Sequence, residues 1–261
     1  QQGVNILLNL FFGVTINAAF GIANRISAMV NQFFTGFQTA ANPQITKAQA
    51  AGDVVEQQIL IIRTSKISYL LLMFVGVIVI YNIEYILKIW LNNVPEHTAS
   101  LCSLMIVGAM IDALSAPLYV TIFATGKIKW YQITISFVLL LNIVFSYIAF
   151  LFGANVEACI YIRISLFIVS YIVRLFFVKA YTNVRVDVIL KEVIMPLTVI
   201  TLIVGLVLYS VWLVKDSLVR LLLLTPLLVV FMVCIMYMLG LKNTEKQAIK
   251  LIIKQRVLKN K

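Results

Sequence analysis

Residues 17–44 read NAAFGIANRISAMVNQFFTGFQTAANPQ. The stretch is apolar enough for a bilayer, yet Asn17, Asn24, Asn31 and Gln38 recur every seventh residue, with Arg25 beside one of them. On a helix, positions 17, 21, 24, 28, 31, 35, 38 and 42 share one stripe, and every residue there is polar or small. Ile22, Ile26, Met29, Val30, Phe33 and Phe37 form the other side, bulky and suited to lipid. An unpaired amide in hydrocarbon is costly, so the stripe must face other helices or a water-filled cavity. It is either glue between helices or the wall of a polar path. Glue needs one or two polar groups; this stripe runs the length of the span, which favours the path.

The rest of the chain agrees with a membrane setting. Of 261 residues, 62% are hydrophobic and 12% charged, with a mean hydropathy of +1.02, far from a soluble domain's composition. After a short apolar start, seven candidate spans follow at roughly 15–40, 66–90, 101–125, 131–151, 157–179, 193–214 and 218–240. The expected fold is an all-α polytopic transmembrane bundle. Sixteen Lys and Arg fall in alternate connections and the tail, among them Lys47, Lys127, Lys129, Lys179 and Arg185, against three on the other side (Lys88, Lys215 and Arg220). That split predicts a cytoplasmic location for the basic set and for the C-terminus. It also explains the excess of 21 basic over 10 acidic residues without nucleic acid, for which no motif is present.

Catalysis has little support. The external loops are short, and no Gly-rich phosphate loop or paired-carboxylate motif occurs, so the chain reads as no enzyme. Cys102, Cys159 and Cys234 are scattered singly, without metal-ligand spacing, and His97 is alone in a loop beside Glu96. No metal and no cofactor is expected. From Leu241 the tail reads as a basic amphipathic segment, with Thr244 and Gln247 as a capping box and Ile249, Ile252, Ile253 and Val257 among lysines. Membrane lipids are its expected partner.

Three charges, Arg25, Asp112 and Arg163, lie deep within spans. Arg25 sits on the edge of the stripe, and a mid-membrane guanidinium needs a carboxylate, a wet cavity or an anionic ligand. Asp112, in the third span, shares a face with Gly108, Ser115 and Tyr119, and Pro117 opens the backbone nearby. Two readings stay open: an Arg25–Asp112 pair, or Arg25 binding an anion with Asp112 as a titratable, ion-coupling group. In the fifth span Arg163, Ser170 and Arg174 share a face; Arg174 is expected among headgroups, while Arg163 either snorkels or enters a cavity. Arg25 and Arg163 together would suit a phosphate or pyrophosphate.

The runs LLNLFFGVTINAAFGIA (7–23) and FQTAANPQITKAQAAGD (37–53) resemble the second half of bacterial O-antigen-type polysaccharide flippases. These belong to the multidrug/oligosaccharidyl-lipid/polysaccharide exporter superfamily. The match covers about the first fifth of the chain; Ala48-Gln49 stands where Ser-Tyr or similar is expected. The resemblance implies a transporter of 14 helices in two lobes, this chain being the C-terminal portion. Residues 1–14 are then the truncated end of helix 7, 15–179 helices 8–12 of the second lobe, 180–240 two additional helices, and 241–261 the cytoplasmic tail. It implies a bacterial inner-membrane location, alternating access, and a polyprenyl-pyrophosphate-linked oligosaccharide as substrate for surface polysaccharide or lipopolysaccharide synthesis. It also implies the N-terminal lobe and polysaccharide polymerase machinery as partners. The substrate path would take Asn17, Asn24, Arg25, Asn31, Gln38 and Arg163, with Asp112 for ion coupling. A small-molecule exporter of the same superfamily is the nearest rival, with a membrane-embedded glycan polymerase behind it.

Overall fold

A computed structural model describes residues 2–212 and 223–240, and every regular element among them is helical. In chain order these are α1 (Gln2–Ala51), α2 (Val54–Tyr81), α3 (Ile83–Trp90), α4 (Thr98–Ala124), α5 (Lys129–Leu151), α6 (Ala158–Tyr181), α7 (Val186–Ile189), α8 (Met195–Trp212) and α9 (Thr225–Ile235). Wider π turns, Leu190–Ile194 and Met236–Gly240, precede α8 and follow α9. Six helical stretches are long and apolar enough to cross a membrane: α1, α2, α4, α5, α6 and Val186–Ser210. The chain is a polytopic transmembrane helical bundle. The stretch Thr225–Gly240 is shorter; the remainder of the span expected at 218–240, and the expected amphipathic tail, lie outside the described residues. The chain divides into two compact units between Leu190 and Lys191.

Gly13 interrupts α1 at φ 82°, ψ −177°, a conformation open essentially to glycine alone. The chain folds back there. Val4 and Phe20 line one cavity of about 170 Å³, whereas a straight helix would hold them ~24 Å apart. Phe11 and Phe12 fix the incoming segment by edge contacts to Tyr147 and Phe150 of α5, with centroids 5.8 and 5.0 Å apart.

The connection after α1 is far tighter than hydropathy suggests. Gly52, at φ 70°, ends the helix, and the Asp53 N–H donates to Ala48 O at 3.0 Å in a glycine-terminated cap. The Asp53 carboxylate then accepts the Glu56 N–H at 2.9 Å and starts α2. The span expected from residue 66 therefore begins at Val54, and Arg63 and Lys66 lie within the helix, Lys66 buried. Counting charged residues as loop placed that boundary too late. The same span also breaks at Asn82, where the short α3 begins; α3 buries Ile83 and Leu87 and exposes Trp90.

In the first unit α4 is the central helix, packed on α1, α2 and α6, while α5 lies against α6. Leu101, Ile106, Leu118 and Ile122 of α4 are fully buried, as is Leu72 of α2. Lipid is as apolar as leucine, so close van der Waals fit, helped by small residues, does the joining. Gly76 is one such point: a Cβ there would lie 2.7 Å from Ile106 and Met110 atoms of α4. One end of this unit gathers Lys47, Lys127, Lys129, Lys179 and Arg185. Trp130, exposed beside Lys129, marks the interfacial belt there. At the opposite end Glu157 binds the start of α4, accepting from Ser100 Oγ at 2.7 Å and lying 2.6 Å from Nδ1 of the N-cap His97.

Candidate functional site

A cavity of about 380 Å³ opens between α1, α4 and α6. From α1 come Asn24, Asn31 and Gln38; from α4, Asp112 and Tyr119; from α6, Arg163, Phe167 and Arg174. The sequence-predicted residues divide on this point. Asn24, Asn31, Gln38, Asp112 and Arg163 are brought together around one space. Asn17 is half-buried on α1 away from that lining, and Arg25 is exposed on the outer side of the helix.

The amides of α1 differ in how they are satisfied. Asn24 Nδ2 folds back to donate to Phe20 O of its own helix at 3.0 Å. Asn31 keeps a buried Oδ1 with no hydrogen-bond partner. Gln38, buried, donates from Nε2 to Ala113 O of α4 at 3.1 Å. The reason is four residues further on: Pro117 has no N–H, so the Ala113 carbonyl has no donor within its own helix. Gln38 supplies one from across the interface.

The charged groups cluster on the facing wall. Arg174 Nη1 lies 3.4 Å from Asp112 Oδ1, and Arg174 Nε donates to Tyr131 Oη of α5 at 3.1 Å. The Arg174 side chain is 11% exposed and that of Asp112 51%, so the guanidinium is held against protein while the carboxylate opens to the cavity. Arg25 is not the partner of Asp112. The expectation for Arg174 needs the same correction: it turns inward to the cavity and does not lie among headgroups. A helix position near the membrane boundary suits either role, and only the partners across α4 and α5 decide it.

Arg163 has the least satisfied charge at the site. Half-buried, it stands 5.1 Å from the Phe167 ring centroid, a cation–π contact, and makes no hydrogen bond or ion pair among the described residues. It lines both the central cavity and the smaller one under Val4 and Phe20. A guanidinium carries five donors, and here they border a void. Ser115 and Ser170, expected on the same faces as Asp112 and Arg163, are buried, with hydroxyl oxygens lacking partners.

Sequence reasoning missed Phe167 and Tyr131 altogether. Phe167 lies four residues after Arg163, the spacing at which side chains on a helix meet, so the signal was present. For Tyr131 there was none, because its partner lies 43 residues away on another helix. Tyr131 also joins a run of edge-on rings, Tyr119, Phe123, Tyr131, Phe177 and Tyr181, from the cavity wall toward the basic end.

Comparison with known proteins gives one match. The MatE family model aligns with residues 3–148, from the start of α1 to near the end of α5. No curated protein and no solved structure matched the chain. The aligned region takes in the amide wall and Asp112 and stops short of Arg163 and Arg174. With more than half of its residues covered, the chain belongs to the MatE family, transporters of the multidrug/oligosaccharidyl-lipid/polysaccharide exporter superfamily.

Proposed function

We propose that this transporter moves polyprenyl-pyrophosphate-linked oligosaccharides across the bacterial inner membrane by alternating access, for surface polysaccharide synthesis. One observation carries the reading: Arg163 faces the cavity and makes no hydrogen bond or ion pair among the described residues. Such a group suits a pyrophosphate, and the amides opposite suit sugar hydroxyls. A cationic drug gains nothing from that wall: two arginines outnumber the single carboxylate, and Arg174 is already turned on Asp112. The exposed, polar strip of α1 that carries Arg25, Gln32 and Thr39 is unsuited to lipid; it fits against the N-terminal lobe that the sequence resemblance implies. Ion coupling is assigned to Asp112, whose half-open carboxylate lies within reach of water.

The test uses a flippase-deficient bacterium that makes the matching glycan. Lipid-linked repeat units are quantified on each membrane face at matched protein levels. Wild type should clear the inner pool, and Arg163→Ala should slow clearance about tenfold or more, the scale of a lost charge-assisted contact. Arg163→Lys should keep part of it, and Arg25→Ala should cost much less. Equal clearance by wild type and Arg163→Ala would remove Arg163 from the path. If wild type fails to clear a correct substrate, the small-molecule exporter reading takes over.

A further inference from the structure

The basic end of the first unit carries a third concavity, distinct in its lining from the other two. Between the last turns of α6 and α7 runs a groove of about 700 Å³. Ile172, Phe176 and Leu190 line it, all exposed. Lys179, Asn183 and Arg185 form its rim. Depth explains the pairing of apolar floor and polar rim. The 24 residues of α6 rise ~36 Å, a little more than the ~30 Å hydrocarbon core. Lys179, in the last turn, therefore reaches headgroup level, while Phe176 and Ile172 sit one and two turns deeper among acyl chains.

The rim is held in place from outside the groove. Gln58 of α2 accepts from the Arg185 N–H at 3.4 Å and donates to Arg185 O at 3.5 Å. The Arg185 guanidinium bonds Asp187, with Nη2 to Oδ2 at 2.8 Å, so part of its charge is spent. Lys179 is different: it makes no ion pair among the described residues. Two cations against one carboxylate leave the rim net positive.

We propose that this groove binds an anionic phospholipid, with the phosphate at Lys179 and Asn183 near Arg185, and an acyl chain along Ile172, Phe176 and Leu190. A zwitterionic lipid fits the floor equally but brings its own ammonium to a basic rim, so charge complementarity selects the anionic one. The site does not depend on what the central cavity carries.

Native mass spectrometry of the purified protein, titrated with phosphatidylglycerol or phosphatidylcholine of identical chains, tests this. Phosphatidylglycerol should be retained about fivefold more, the worth of one lysine near an anionic surface. Lys179→Gln should abolish the preference, Lys179→Arg should keep it, and Lys127→Gln, at the same end on another connection, should leave it unchanged. Phe176→Ala should weaken retention of both lipids alike, which reports on the floor without touching the charges. Equal retention of the two lipids by wild type, or a preference that survives Lys179→Gln, would overturn the proposal. So would displacement of phosphatidylglycerol by equimolar polyprenyl phosphate, because the groove would then belong to the carrier lipid. Loss of thermal stability in Lys179→Gln with the preference intact would likewise overturn it and assign Lys179 to the helix C-terminus alone.

Discussion

The two facing walls of the central cavity use opposite kinds of polarity. On α1 the polar groups are neutral amides, and two of the three that line the cavity are already engaged, Asn24 with its own backbone and Gln38 with the Ala113 carbonyl. On α6 they are arginines, one tied to Asp112 and Tyr131, the other left without a hydrogen bond among the described residues. The MatE match reaches across the first wall and stops before the second. An engaged amide shapes the bundle; an unengaged cation has its donors open to a ligand. The family match thus covers α1 to α5, and the proposed selection of an anionic cargo rests on α6.

That contrast can be broken from either side. The largest effect is expected for Arg163→Ala, with transport down roughly 10- to 100-fold and the melting temperature nearly unchanged, since one charge-assisted contact is worth about 1.5–3 kcal/mol. A stability loss without a transport defect would make Arg163 structural. Gln38→Leu should do the reverse. It strands the buried Ala113 carbonyl at a cost of about 1–3 kcal/mol, read as a lower unfolding midpoint in detergent. Adding Pro117→Ala restores a donor within α4 and should recover part of that loss; no recovery would mean that Gln38 matters for some other reason.

Asp112→Asn should sharpen the picture in a third direction. Freed from the carboxylate, Arg174 adds positive potential to the cavity, so binding of a soluble pyrophosphate probe should tighten about twofold to fivefold, the scale of a partly exposed charge pair. Transport should fall if Asp112 couples an ion, and unchanged transport would remove it from that role. Asn24→Ala should be the mildest of the four, within about 0.5 kcal/mol in stability, because its amide bonds only the turn before it. A severe transport defect there would restore the whole ladder as a substrate path.

Much of the architecture was legible because it follows from one-dimensional rules. Apolar runs gave an all-helical membrane bundle; of the amide period only Asn24, Asn31 and Gln38 meet the cavity, and Ile26 and Val30, read as facing lipid, are buried. Boundaries set by turn chemistry were harder. The chain reverses at Gly52-Asp53 with no loop, so the helix expected from about residue 66 starts at Val54 and takes in Arg63 as well as Lys66. The charged residues were least legible. Arg25, Arg163 and Arg174 look alike in sequence, yet one is exposed on the outer face of α1, one faces a cavity unpaired, and one is held by groups from two other helices.

The sequence alone determined that these helices lie in a membrane and that α1 has a polar side, because hydropathy and a helical period are local properties that any neighbours must accept. Which arginine meets Asp112, which amide fills the carbonyl left open by Pro117, and which guanidinium stays free were settled only by the tertiary structure. A hydrogen bond or ion pair depends on distances of about 3–4 Å between atoms, and between helices far apart in the chain those distances are set by packing and not by spacing along the sequence.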